Sequence, residues 1–131
     1  MKTISGTGHR PGKLGGYDPQ IFWRLVTLAR EHLEEHKPDK VISGMALGWD
    51  KALAQAAIEC EIPFDAYIPF RGQEQRWPEP SQEFYRYLLS LAGHVHVSHE
   101  GGYTPQAMHQ RNMDMVGATT MHVATLWDGS D

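Results

Sequence analysis

The sequence has little cysteine and no surplus of positive charge, and each shortage excludes a class of protein. Cys60 is the only cysteine, so no disulfide can form within the chain, which is typical of a reducing compartment. Its 16 acidic side chains outnumber its 12 lysines and arginines, for a net charge of −4. Because non-specific DNA binding requires clustered cations that neutralise phosphates, we do not expect nucleic acid as a partner.

Long apolar runs are missing as well. No segment approaches the roughly 20 apolar residues of a membrane helix, and the first ten residues, MKTISGTGHR, contain no apolar stretch of signal-peptide length. We therefore predict a cytoplasmic protein with no membrane contact. The eight histidines are scattered and show no HExxH or CxxC spacing, so neither a metal site nor a resident cofactor is predicted.

The chain instead has the composition and the pattern of one folded domain. Its 131 residues are 40% hydrophobic and 21% charged, which is ordinary for a globular protein, and no internal repeat or linker is visible. We predict a single domain over residues 1–131. Short runs rich in valine, isoleucine and aromatic residues predict strands at 2–5, 40–43, 64–68, 94–98 and 122–127.

Helix signals lie between these runs. Asp18-Pro19 and Thr104-Pro105 each place a capping residue before a proline that suits the first helical position, and Lys37-Pro38 predicts the end of the first helix. Four helices are predicted, at 19–36, 49–60, 81–92 and 105–116. The first has Ile21, Leu25, Leu28 and Leu33 on one face. The second is expected to pack through Leu53, Ala56, Ala57 and Cys60.

The regular alternation of strands and helices predicts an α/β fold of three layers. A five-stranded, mostly parallel sheet would carry helices on both faces, joined by right-handed crossovers. In such sheets ligands bind beyond the carboxyl ends of the strands. Functional residues are therefore expected in the segments that follow each strand.

The first such segment combines glycines with a cation. The first predicted strand is followed by Gly6, Thr7, Gly8, His9 and Arg10. Exposed backbone amides between glycines can hold an anion, and the arginine can add a bidentate contact to it. The segment matches neither GxGxxG nor the phosphate loop GxxxxGK[ST]. An ordinary surface turn is the alternative.

The second segment joins a glycine turn to a helix start. It contains Ser43, Gly44, Met45, Gly48, Trp49 and Asp50. The amides and the positive dipole end of a helix N-terminus favour phosphate or carboxylate groups. We interpret Asp50 either as a helix cap or as a functional carboxylate that accepts from ribose hydroxyls or polarises a bound water.

Three further segments supply candidates. Phe70, Gln75 and Trp77 follow the third strand, where a base could stack, although a polar loop with Trp77 packed into its own domain is the alternative. Arg111 and Asn112 share a helical stripe with Met108 and Met115, which indicates either a face turned towards the site or a partly exposed boundary. Asp128-Gly129 is a turn signal after the last strand.

Five ordered motifs together resemble a known family. The sequence between Gly6 and Ser130 is similar to the YpsA-type branch of the SLOG superfamily. The motifs that carry the similarity are, in order, GTGHRP, SGMALGWD, PF followed by Gln and Trp, QRN, and LWDGS. That superfamily contains Rossmann-like relatives of DNA-processing protein A and of the Lonely-guy phosphoribohydrolases. The resemblance implies a Rossmann-like fold and a nucleotide pocket formed by Gly6, Gly8, Arg10, Ser43, Gly44, Gly48 and Asp50, with Gln75, Trp77, Arg111 and Asn112 as further candidates.

The chain departs from the pattern of these relatives in two ways. Members of this branch usually continue past the WDG turn with a Gly-Gly-Thr segment and a helix, which we expect to be missing here. The PGGxGTxxE motif that supplies the catalytic glutamate of Lonely-guy enzymes is absent, so their hydrolase activity is not carried over. Single-stranded DNA binding, as in the DNA-processing relatives, gains little support from the acidic balance.

Three functions stay open at this point. The first is binding or sensing of a nucleotide or a nucleotide-derived, phosphate-bearing ligand by a protein that is not an enzyme. The second is a hydrolase that cleaves an N-glycosidic or phosphoribosyl bond, with Asp50 as the catalytic carboxylate. The third is an assembly subunit, since the predicted exposure of Trp23, Trp77 and Tyr103 suits a homodimer or a higher homo-oligomer.

Overall fold

A computed structural model describes residues 2–8, 19–46 and 48–126 of the chain. Strands and helices alternate along it. In chain order they are β1 (Thr3–Gly8), α1 (Pro19–His36), β2 (Lys40–Ser43), α2 (Trp49–Glu59), β3 (Phe64–Ile68), a 3₁₀ turn (Gln73–Arg76), α3 (Glu79–Leu91), β4 (His94–Val97), α4 (Pro105–Ala118) and β5 (His122–Leu126).

The strands form one sheet in the order β4-β3-β2-β1-β5, and every pairing between neighbours is parallel. The prediction of an α/β fold built on a parallel sheet is therefore confirmed. β1 is interior and is paired on both sides: Gly6 stands opposite Ser43 of β2 and opposite Ala124 of β5. The carboxyl ends of β1 and β2 thus lie side by side.

The strand order also fixes where the helices lie. The first three crossovers step in one direction, from β1 to β4, and the fourth returns across three strands to β5. With right-handed crossovers, α1, α2 and α3 cover one face and α4 covers the other. α4 is attached to the edge strand because Asp114 accepts from Ser98 at 2.6 Å and pairs with His96 at 2.9 Å.

The helix boundaries follow local capping signals. α1 begins at Pro19 and ends before Lys37, and α4 begins at Pro105. The Thr104 side chain accepts a hydrogen bond from the Ala107 amide at 2.9 Å and so caps α4 as predicted. α3 begins at Glu79, two residues earlier than predicted, with Pro80 in its first turn.

No helix in the described ranges is long and apolar enough to cross a membrane.

The packing face of α1 differs from the predicted one at Leu28, which is 46% exposed. The buried residues of this helix are Leu25, Val26, Ala29 and Leu33. At 100° per residue these four lie within a narrow arc, and Leu28 falls about 60° outside its edge. The apolar stripe predicted from the spacing of the leucines therefore lies too far to one side of the helix.

The predicted packing of α2 is confirmed for three of its four residues. Leu53, Ala56 and Ala57 are fully buried, and Cys60 is partly buried against the same core. Ala52 and Ala54 are fully buried too. Because small side chains let a helix lie close to its neighbours, α2 packs tightly between α1, α3 and the sheet.

Candidate functional site

The three residues Gly6, Thr7 and Gly8 belong to β1 and not to a loop, which corrects the sequence prediction. That prediction ended the strand at Ser5 and placed the glycines in the segment that follows it; glycine has a low strand propensity. Pairing with both β2 and β5 carries the ladder on through Gly8, which stands opposite Leu126. The amides of these glycines are therefore part of the sheet.

Gly6 allows close packing between β1 and α2. A β-carbon at this position would collide with the Leu53 side chain and would lie 3.6 Å from the indole nitrogen of Trp49. Trp49, a predicted ligand residue, is itself buried in the core. The absence of a side chain at Gly6 thus sets how closely the start of α2 approaches the central strand.

The turn after β2 is held by Ser43 and has a strained backbone. The Ser43 hydroxyl donates to the backbone carbonyl of Asp50 at 2.6 Å and accepts from the Met45 amide at 3.1 Å. Met45 has a φ of 61°, a conformation uncommon outside glycine, and its side chain is in the core. Gly48, with a φ of 89°, then leads into α2.

Gly44 lies between two buried, oppositely charged side chains. A β-carbon on this glycine would be 2.6 Å from Oδ2 of Asp50 and 2.7 Å from Nη1 of Arg111. Asp50 is 3% exposed and Arg111 is 4% exposed. The structure therefore brings together three of the predicted site residues, one from each of the β2 turn, α2 and α4.

Arg111 crosses to this turn from the other face of the sheet. Its Nη1 donates to the carbonyl of Gly44 at 2.6 Å, and its Nε donates to the side chain of Asn112 at 2.8 Å. Burial lowers the pKa of the guanidinium, and the negative charge of Asp50 opposes that shift. Asn112 is exposed, and the buried residues of α4 are Ala107, Arg111 and Met115. Of the two interpretations from sequence, the exposure of Asn112 agrees with a boundary position.

Tyr85 of α3 interacts electrostatically with Arg111 and was missed by the sequence prediction. Burial raises its pKa to about 12, and Gln73 and the charges of Arg111 and Arg71 act in the opposite direction. Gln73 donates to its hydroxyl at 3.4 Å, and the ring of Trp77 meets its ring edge-on at 5.3 Å. No local pattern in the sequence indicates that a tyrosine of the third helix reaches the carboxyl edge.

Glu74, in the 3₁₀ turn, is a second buried carboxylate near the site. Its Oε2 is 3.4 Å from Nε of Arg86, but its buried Oε1 has no hydrogen-bond partner within the described part of the chain. An unpaired buried acceptor costs about 1–3 kcal/mol. The negative charge of Glu74 also helps to raise the pKa of Tyr85.

Lys51 is buried directly beside Asp50 in the chain but points towards α3. Its Nζ donates to the carbonyl of Ser81 at 3.2 Å and stands over the rings of Phe84 and Trp77, at 5.0 and 5.5 Å from their centroids. Burial lowers its pKa to about 8. Trp77 is thus engaged within its own domain, which is the alternative considered from sequence.

The remaining candidates divide between the sheet edge and the undescribed segments. Phe70 contacts Tyr103 edge-on at 6.2 Å, and Gln75 is exposed, with its carbonyl accepting from Gln82 at 3.3 Å. Across the described ranges, no group of three or more His, Cys, Asp or Glu is arranged to hold a metal ion. The candidates that lie outside the described residues are His9, Arg10, Asp128 and Gly129.

Comparison with protein families finds one match along almost the whole chain. The model of the YspA SLOG family matches residues 6–130. Among curated proteins, a UPF0398 protein of Bacillus cereus is 29% identical over 110 residues, covering 72% of this chain and 57% of its own length. A UPF0398 protein of Bacillus velezensis is 30% identical over 124 residues, covering 86% and 68%. The chain thus spans little more than half the length of the Bacillus cereus relative.

Two solved structures share the fold. DNA processing protein A (DprA) from Streptococcus pneumoniae superposes with a TM-score of 0.61 at 20% identity, covering 95% of this chain and 41% of that one. The S. aureus MnaA–UDP co-structure gives a TM-score of 0.56 at 15% identity, covering 95% and 43%. At these identities the likeness establishes a Rossmann-like architecture and nothing finer.

Proposed function

The chain belongs to the YspA SLOG family, and from this premise we propose that it binds a nucleotide or a nucleotide-derived, phosphate-bearing ligand at the carboxyl ends of β1 and β2. The observation that carries the proposal is the arrangement at Gly44. A glycine without side-chain bulk separates a buried carboxylate from a buried guanidinium, Asp50 from Arg111, at the first turn of a helix. Buried opposite charges at a strand end are costly to build for packing alone.

Each part of this arrangement suits one part of such a ligand. The dipole of α2 is positive at its first turn, and helix N-termini favour phosphate groups, so the phosphate would lie there. Gly44 and Gly48 permit close approach of the backbone. Asp50 would accept a hydrogen bond from a sugar hydroxyl, and Arg111 would hold the turn in position through the Gly44 carbonyl.

The fold supports the same placement. In parallel α/β sheets the ligand lies beyond the carboxyl ends of the strands, next to the point where the strand order reverses. Here that point adjoins β1, because the chain leaves β1 towards β2 and returns from β4 to β5 on its other side. The related fold of MnaA was solved with UDP, which makes UDP a reasonable first probe.

A thermal-shift panel tests the proposal. The protein would be incubated with UDP, ADP, inorganic pyrophosphate and the nucleosides uridine and adenosine, each at millimolar concentration. The proposal expects a rise in melting temperature with the nucleoside diphosphates, a smaller rise with pyrophosphate, and no rise with the nucleosides, because stabilisation by a ligand follows its affinity. If no phosphate-bearing compound raises the melting temperature, the proposal is wrong.

A further inference from the structure

An aromatic pair lies at the carboxyl edge of the sheet, away from the Gly44 turn. Phe70 follows β3 and Tyr103 precedes α4 in the segment after β4, and their ring centroids are 6.2 Å apart at 78°. β3 and β4 are adjacent and parallel. Both segments therefore emerge at the edge where the turn after β2 also lies.

Tyr103 is the most exposed of the large hydrophobic residues in the described part of the chain, at 66%. Exposing an aromatic ring to water is unfavourable, and the edge-to-face contact with Phe70 holds this ring at a fixed angle to its neighbour. An exposed ring held at a fixed orientation can serve as a platform for a nucleobase, since every base has a π-face that can stack.

Trp77, the other aromatic candidate at this edge, is engaged elsewhere. Its ring packs edge-on against Tyr85 and also under the ammonium group of Lys51. Moving it to meet a ligand would break both contacts. The Phe70–Tyr103 pair needs no such rearrangement.

The spacing between the two features fits a nucleotide. Neighbouring strands are about 4.8 Å apart, so the ends of β3 and β4 lie roughly 5–10 Å from the end of β2, where Gly44 is. A nucleoside phosphate separates its phosphate from its base by a distance of this order. A ligand whose phosphate lies at the turn after β2 would therefore have its base near the ends of β3 and β4, the strands that precede Phe70 and Tyr103.

We propose that the Phe70–Tyr103 pair is the subsite for the base of a nucleoside phosphate whose phosphate end lies at the first turn of α2. This inference rests on the proposed function and adds to it the orientation of the ligand and the residue that distinguishes a nucleotide from a simple phosphate. The base stacks on Tyr103. Inorganic pyrophosphate, which has no base, gains nothing from this residue.

Calorimetric titration of three variants tests the proposal. Tyr103→Ala removes the platform, Tyr103→Phe keeps it, and Tyr87→Ala removes another exposed tyrosine, on α3, as the control. Loss of one stacking contact is expected to weaken ADP binding by roughly 5- to 100-fold. Tyr103→Phe and Tyr87→Ala should stay within about twofold of the wild type, and pyrophosphate binding should be the same in all four proteins.

The outcomes separate this inference from the proposed function. If the wild type binds ADP and Tyr103→Ala binds it equally well, the base lies elsewhere and only the inference fails. If the wild type binds neither ADP nor pyrophosphate, the proposed function fails and the inference with it. Photolabelling with 8-azido-ADP adds a direct readout: a label on Phe70, Tyr103 or their immediate neighbours supports the subsite, and a label confined to other segments, including Trp77, overturns it.

Discussion

Nη1 of Arg111 donates a hydrogen bond to the carbonyl oxygen of Gly44 at 2.6 Å, between residues 67 positions apart in the chain. The bond joins α4, on one face of the sheet, to the turn that leads into α2 on the other. The carboxylate of Asp50 adjoins the same glycine. One buried guanidinium therefore links α4 to the turn before α2 at the candidate site.

Replacing Arg111 by methionine should lower the free energy of unfolding by about 3 kcal/mol. The substitution keeps the apolar stem but leaves the Gly44 carbonyl unbonded and removes the cation near Asp50, and breaking a buried charged contact from one side costs this much. Urea denaturation followed by circular dichroism measures the change. Arg24→Met, at an exposed arginine of α1, is the control and should change stability by less than about 0.5 kcal/mol. A loss below about 1 kcal/mol for Arg111→Met would contradict the role assigned to this residue.

Two glycine-to-alanine substitutions should have opposite effects. At Gly44 a β-carbon would come within 2.6–2.7 Å of Asp50 and Arg111, so Gly44→Ala should cost about 1–3 kcal/mol of stability. At Gly117, in the last turn of α4, the added carbon would meet no described atom within 4 Å apart from its own stretch of helix backbone. Gly117→Ala should therefore raise stability by about 0.5–1 kcal/mol, since alanine favours the helix. Thermal unfolding of both variants checks the pair, and the same sign for both would be inconsistent with this packing.

Lys51 should make stability depend on pH above neutrality. Burial lowers its pKa from 10.5 to about 8 in the folded protein. Between these values the unfolded chain binds more protons than the folded one, so the free energy of unfolding rises with pH across this window. Relative to Lys51→Met, the wild type should gain up to about 3 kcal/mol between pH 7 and pH 10.5. Groups common to both proteins cancel in the difference.

The measurement for Lys51 is a series of urea denaturations of both proteins at half-unit pH steps. Below pH 8 the ammonium is charged in both states, so the difference between the variants should be flat. A difference that also stays flat from pH 8 to pH 10.5 would show that the amine keeps its ordinary pKa in the folded protein.

Glu74→Met should stabilise the protein by about 1 kcal/mol. The wild-type side chain keeps Oε1 buried with no partner in the described ranges, at a cost of about 1–3 kcal/mol. The contact that is lost is with Arg86, whose side chain is largely exposed, and exposed ion pairs contribute little. Thermal unfolding compares this variant with Glu83→Met, an exposed neighbour on α3. Destabilisation by 1 kcal/mol or more would mean that Oε1 has a donor in solution.

The fold could be predicted from sequence where its signals are local. Thr104-Pro105 and Lys37-Pro38 act on the backbone within a few residues, so the start of α4 and the end of α1 were predicted correctly. The exposure of Leu28 and the end of β1 could not be predicted without knowing which other elements pack against α1 and pair with β1. Which side of α1 meets the core, and whether glycines extend a strand, is decided by neighbours distant in sequence.

The candidate site could be predicted in part for the same reason. Gly44 and Asp50 belong to one short turn and helix start, so their proximity followed from the sequence, and the polar Arg111 among apolar positions of α4 was a second indication. Nothing in the sequence around Tyr85 or Lys51 indicated that these side chains would be buried near the site. Their burial results from contacts with Trp77, Phe84 and Gln73, in segments whose approach depends on the folded chain.

The most direct test of the account is calorimetric titration of ADP and UDP into the wild type, Gly44→Ala and Gly117→Ala. If a nucleotide lies against the turn between Asp50 and Arg111, the wild type and Gly117→Ala should bind at least one of the two with the same affinity. Gly44→Ala, whose β-carbon would displace both side chains, should bind it at least tenfold more weakly. Equal affinity in all three folded proteins would contradict the assignment of this turn as the ligand site, and so would no binding by the wild type.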